Sequence, residues 1–246
     1  MVNQPEGTVN ETTLPASPTD RREFIGQLAT AAVALAGTAC VTAAGGAVQA
    51  APAPAPAPRA PSPVVKWDDA WSKRIAGKHK AVFDAPEIAD GTIISNAWVW
   101  LRGYKDAYGT LDDEMSAVLV IRHGAIPMAM DDAFWEKYDL GKYAKTRDPA
   151  TKKWARRNPY WKPDPNDKEN APFTLEALNG RGCILMGCSL AAMGMAGELA
   201  GKHKLPRDDV RAEVKAHLIP GMTLAPNGVF AVMRAQEAGC TYIRST

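Results

Sequence analysis

Charge of one sign is what this sequence most plainly lacks. Its 29 Lys and Arg against 27 Asp and Glu leave a formal net charge of +2. A nucleic-acid partner would call for a concentrated basic face, so none is expected. A membrane span is missing too: outside one Ala-rich run near the N-terminus, no stretch reaches the ~18 uninterrupted apolar residues that cross a bilayer. Cysteine is scarce, with four in 246 residues, which excludes a scaffold built on disulfides. No His/Cys spacing matches a structural zinc site, so no metal is expected. The glycines of "GMAGELAG" fall inside a helical stretch instead of between a strand and a helix, so they make no phosphate loop, and no G-x-S-x-G elbow occurs. No cofactor is expected either.

Residues 1–63 have almost no aromatics and no periodic apolar pattern beyond the Ala-rich run. That leaves about 180 residues, a normal size for one domain with a single core. The N-terminus reads as an address. "TDRREFI" carries the pair Arg21 and Arg22, an Ala-rich apolar stretch follows, and Val48, Gln49 and Ala50 offer a small-residue cleavage site. In that order they resemble a twin-arginine export signal over residues 1–50, which predicts a periplasmic protein with no stable membrane span after processing. A disordered Ala-rich tail with a chance Arg pair is the other reading. Residues 51–77 form an Ala/Pro-rich linker and lead-in, of which 51–63, alternating Ala and Pro, is a stiff, extended spacer. The processed chain would keep Cys183, Cys188 and Cys240; an odd count leaves at least one thiol unpaired within a monomer.

From residue 78 onward, strand-like and helix-like patterns alternate. Strands are predicted at 78–85, 115–124, 183–188, 221–226 and 240–245. Helices are predicted at 91–109, 127–140, 173–182, 189–204 with Ser189 as N-cap, 206–218, and 227–239 capped by Asn227 and closed by Gly239. Five strands alternating with helices imply an α/β fold: a three-layer α/β/α sandwich around a five-stranded, mainly parallel sheet. Strand order is not legible. Ligands in such sheets lie beyond the carboxyl ends of the strands, where Asp84, His123, Cys188 and Asn227 stand.

Cys188 closes a strand and precedes a helix, whose dipole and free N–H groups favour an anionic sulfur. Cys183 lies at the other end of the same strand. Five strand residues span roughly 16 Å, whereas a disulfide needs Cα atoms within about 7 Å, so the two should not bridge. Cys240 begins another strand and should lie at the edge of the sheet away from Cys188. All three can also be read as small buried hydrophobes. His123, before Gly124 at a strand end, could deprotonate a thiol or hold an anion, or could simply pack at a turn. His79, His203 and His217 read as solvated faces. Residues 141–172 are too long for an ordinary connection and carry Lys152, Lys153, Arg156 and Arg157 beside Trp154, Tyr160 and Trp161. Aromatics in a polar loop point to a segment that folds back onto the domain or a neighbouring subunit. An anion-binding flap and a solvated basic loop are both open.

Three blocks, "VIRHGAIPMAMDDAFWEKYDLGKY", "GCILMGCSLAAMGMA" and "LIPGMTLAPNGVFAVMRAQEAGCTYI", resemble the DsrE/DsrF-like proteins, especially their exported branch with twin-arginine signals. The resemblance spans residues 78–246 in scattered blocks and includes the insert at 141–172. It implies an α/β/α sandwich that assembles into homo-oligomers. It also implies a sulfur carrier or sulfurtransferase with a persulfide on the cysteine after a central strand, which is Cys188 here. His123 matches the strand-end histidine of the exported branch. The expected ligand is a small sulfur-containing or other anionic species, with Cys188 and His123 doing the chemistry and Asn227 and Asp84 at the binding edge. The alternative is a non-catalytic small-molecule-binding or oligomeric assembly module of the same fold.

Overall fold

The structure is a computed structural model that describes residues 67–164, 167 and 169–246. The export signal, the cleavage triplet and the Ala/Pro spacer expected over residues 1–63 lie outside the described residues. The elements run β1 (His79–Ala85), α1 (Thr92–Tyr108), β2 (Met115–Ile121), α2 (Asp132–Lys137), α3 (Leu140–Tyr143), α4 (Leu175–Gly180), β3 (Ile184–Cys188), α5 (Ser189–His203), α6 (Arg207–Ala216), β4 (Met222–Ala225), α7 (Gly228–Glu237) and β5 (Thr241–Arg244). All five strands pair in parallel, in the order β4-β3-β2-β1-β5.

Strand alternation explains the three layers. Successive side chains point to opposite faces. Phe83, Leu119, Ile121 and Leu185 therefore join one core with Ile93 and Leu101 of α1 and Met195 and Leu199 of α5. Their neighbours Val82, Val118, Val120, Ile184 and Met186 form a second core with Ala231, Val232 and Ala235 of α7. β2 is buried along its whole length, as expected of a central parallel strand covered on both faces. Each large aliphatic or aromatic side chain so buried contributes about 1.5–3 kcal/mol. The second core also holds Trp71 and Ile75, from a 3-10 turn at Ala70–Arg74, so the lead-in before residue 78 contributes to the fold.

The single helix expected over 127–140 is divided. Pro127 lies in a 3-10 stretch, His123–Ala129, and Met130 makes an antiparallel bridge to Leu218. The α-helix starts only at Asp132, where the Asp131 carboxylate accepts the Phe134 N–H at 2.9 Å, the usual work of an aspartate N-cap. Trp135 is fully buried and donates its indole N–H to the Pro127 carbonyl at 2.9 Å, which pins the turn to the helix. Among the described residues, no helix is long and apolar enough to cross a membrane.

The connection β1–α1–β2–α2/α3/α4–β3–α5/α6–β4 steps steadily across the sheet, and then α7 carries the chain back to the far edge, where β5 pairs with β1. So β3 exits toward the face covered by α5, and its neighbour β4 exits toward the face covered by α7. Adjacent strands whose exits diverge open a crevice at their carboxyl ends.

Candidate functional site

Cys188 lies at that divergence. It is the last residue of β3 and pairs with Ala225 of β4, two residues before Asn227. The sequence pattern placed the N-cap of the next helix at Ser189; the structure places it one residue earlier. β3 stays in register through Cys188, so the helix begins immediately afterwards. Cys188 itself is the N-cap (φ −83°, ψ 108°), and its sulfur accepts the Ala191 N–H at 3.3 Å. A sulfur thus occupies the place usually filled by a hydroxyl or carboxylate oxygen, at the positive end of a 15-residue helix. The residue is 6% exposed, so its surface is small.

Asp84, near the end of β1, is 2% exposed. It is held by a two-pronged ion pair: Arg122 donates from Nε to Oδ1 at 2.7 Å and from Nη2 to Oδ2 at 2.9 Å. Tyr242 of β5 donates its hydroxyl to Oδ2 at 2.9 Å. The forked geometry is the strong form of an arginine–carboxylate contact. Arg122 immediately follows Ile121, which pairs with Gly187, so Arg122 and Cys188 are cross-strand neighbours. The Asp84 hydrogen bonds hold the guanidinium above its ordinary pKa, the nearby Cys188 sulfur adding a smaller contribution. Burial, then the Asp84 hydrogen bond, pushes the Tyr242 phenol up. Gly228, the first residue of α7, lies against the Arg122 side chain. A Cβ there would collide with Arg122 Cβ and Cδ, so glycine lets the arginine stem pass beneath the helix start.

His123 follows Arg122, but its side chain is exposed and has no hydrogen-bond partner among the described residues. No hydrogen bond joins it to Cys188. Its backbone is left-handed, φ 48°, a conformation that costs a non-glycine residue roughly 1–2 kcal/mol. His123→Gly is therefore expected to raise the unfolding free energy by about 1 kcal/mol, measured by urea titration; a loss of stability would mean that the imidazole makes contacts worth more than the strain. Asn227 caps α7, its Oδ1 accepting the Phe230 N–H at 2.9 Å, so that oxygen is engaged by the helix. Of the four residues expected at the carboxyl edge, Asp84 and Cys188 both lie close to Arg122, Asn227 caps α7 and His123 is exposed. The pattern missed Arg122, Tyr242 and Gly228. Only Arg122 left a signal, as the charged residue directly before His123 at the same strand end.

Cys183, Cys188 and Cys240 are all free. Cys183 and Cys240 sit just before β3 and β5, at the edge of the sheet away from Cys188. Burial pushes their thiols up from the ordinary 9.0, to about 12 for Cys183 and about 11 for Cys240. A raised acid stays neutral in the fold while the unfolded chain ionises. The stability is therefore fully present below pH 9.0 and is lost as the pH climbs toward 12. Cys183→Ala is expected to remove about 1.4 kcal/mol per pH unit from the alkaline slope above pH 9, read from denaturation at successive pH values.

The insert folds back on the domain. Asn158 is fully buried; its amide donates to the Met128 and Met130 carbonyls at 2.8 and 2.7 Å, and its Oδ1 accepts the Tyr160 N–H at 3.0 Å. Its own backbone N–H reaches Asp132 at 2.9 Å. Leu175 and Glu176 donate to the Tyr160 and Trp161 carbonyls. Gly141 meets the Ala155 backbone so closely that a side chain there would collide with it. Arg147 lies over the Trp154 ring, 4.1 Å from its centroid, and Lys162 over Trp161 at 4.0 Å. Between the insert and the β1–α1 turn lies a cavity of about 650 Å³, lined among others by Asp90, Ile94, Arg157, Tyr160 and Phe173. Among the described residues, no group of three His, Cys, Asp or Glu side chains is placed to hold a metal ion. No protein-family model matches the chain, and no curated protein or solved structure does.

Proposed function

We propose that this chain is an exported, DsrE/DsrF-like sulfur carrier that works through a persulfide on Cys188. The observation that carries the reading is the position of the Cys188 sulfur: N-cap of α5, accepting the Ala191 N–H, at the divergence of β3 and β4. Helix N–H groups aimed at a sulfur stabilise the negative charge that both the nucleophile and the persulfide carry. The step balances without an outside oxidant or reductant. The Cys188 thiolate attacks the outer sulfur of a donor such as thiosulfate and a new S–S bond forms. The donor's S–S bond breaks, and sulfite leaves with its electron pair. An acceptor thiolate then attacks the outer sulfur of the persulfide, and Cys188 departs as the thiolate. The twin-arginine-like N-terminus supports a periplasmic setting, and the family resemblance supports a homo-oligomer. With thiosulfate as donor, the protein is expected to release one sulfite per chain in a single turnover, and Cys188→Ser to release none above the uncatalysed rate. Equal release by the serine variant would refute the carrier role.

A second reading, a non-catalytic small-molecule-binding module, draws on the 650 Å³ cavity under the insert and on the small exposure of Cys188. On that reading Cys188→Ser leaves ligand binding intact and no sulfite appears with either protein.

A further inference from the structure

The sequence pattern assigned no role to Arg122, yet the structure builds a setting around it. Asp84, itself almost wholly buried, takes Nε and Nη2, and Tyr242 locks the same carboxylate from the β5 side. That orients the guanidinium plane and leaves Nη1 without a partner among the described residues. The side chain is 27% exposed. A glycine at the start of α7 makes room for its stem. β2 and β3 pair up to Ile121 and Gly187, so Arg122 and Cys188 are the next residues along the two, and α5 starts directly after Cys188.

A buried carboxylate paired to an arginine needs only the fork. It does not need an unpartnered Nη1 on the same guanidinium, close to a thiol. We propose that Arg122 is a specificity-determining residue: it forms an anion subsite that receives the oxyanion end of the sulfur donor while the donor's outer sulfur faces Cys188. The donor class is thereby narrowed to sulfane compounds bearing a sulfonate-like group, of which thiosulfate and thiosulfonates are the simplest, in preference to uncharged polysulfides. Arg122 contacts the part of the donor that leaves, and steadies the negative charge gathering there as the S–S bond breaks. Asp84 and Tyr242 act through Arg122 as positioning residues. This inference rests on the carrier reading, so its test must separate the two.

Arg122→Gln alone leaves the Asp84 charge buried and unpaired and can fail to fold; the double variant Asp84→Asn/Arg122→Gln removes both charges together. Cys188 is alkylated with iodoacetate, which is anionic, and with iodoacetamide, its neutral analogue, and the ratio of the two rates is read by mass spectrometry at low salt. The ratio is expected to fall at least about two-fold from the parent to the double variant: the net charge is unchanged, but the charged N–H donors that would meet the carboxylate of iodoacetate are gone. An unchanged ratio overturns the inference. If Cys188 of the native parent reacts with neither reagent, the carrier reading falls, and sulfate then decides the subsite. A rise in thermal midpoint with sulfate that the parent shows and the double variant lacks sustains the anion site; the same response in both proteins removes it.

Discussion

Arg122→Ala is expected to destabilise the fold by about 3–5 kcal/mol, the largest effect of any single substitution at the candidate site. The penalty comes from what remains. Asp84 is sealed at the end of β1, with a side chain 3% exposed, and without Arg122 only the Tyr242 hydroxyl still donates to that carboxylate. A charge so placed cannot recover its hydration, so the folded state bears most of the desolvation penalty. The double variant Asp84→Asn/Arg122→Gln should recover most of the loss, because it removes the charge and its partner together. Denaturant unfolding of the parent, the single variant and the double variant forms the check. A single variant within about 1 kcal/mol of the parent would show that Asp84 is better solvated than the structure places it.

Asn158→Ala is expected to cost about 3 kcal/mol and to turn residues 145–164 into a protease-sensitive segment. The side chain makes three hydrogen bonds inside the protein, and its removal leaves the Met128 and Met130 carbonyls buried without these donors. Each unsatisfied group costs about 1–3 kcal/mol, and the small cavity left behind adds to the loss. Those carbonyls belong to the stretch leading from the end of β2 into α2, so the amide ties the insert to the segment that follows Arg122 and His123. Limited proteolysis at matched stability separates local detachment from global unfolding. Cleavage confined to the insert is the expected pattern. Uniform digestion would mean that Asn158 supports the whole domain and not the insert alone.

The strands were legible because the pattern needed was local. The run at Met115–Ile121 is buried on both faces and reads as a central parallel strand by composition alone, and Asn227 announces α7 by cap chemistry. Strand order was not legible, since pairing of β5 with β1 is settled by contacts between distant parts of the chain. The N-cap at Ser189 was misplaced by one residue for a related reason. Serine is the better local cap, but the pairing of Cys188 with Ala225 carries the strand one residue further, and tertiary register overrides local preference. Arg122 shows the limit most clearly. Its partner Asp84 lies 38 residues earlier, and Tyr242 lies 158 residues beyond Asp84. The place of Arg122 directly before His123 marks it as a strand-end residue, but nothing in the local sequence shows that a buried carboxylate holds its guanidinium. Asn158 likewise looks like an ordinary loop residue among "RRNPYW"; its burial depends on the carbonyls that the 3-10 stretch before α2 turns toward it.

Fragment-mapped mass spectrometry of the native protein after incubation with thiosulfate shows which cysteine takes up sulfur. A carrier at Cys188 gains ~32 Da, one added sulfur atom, while Cys183 and Cys240, whose thiols burial keeps neutral, gain none. No gain at Cys188, or a gain spread over all three cysteines, would contradict the carrier role.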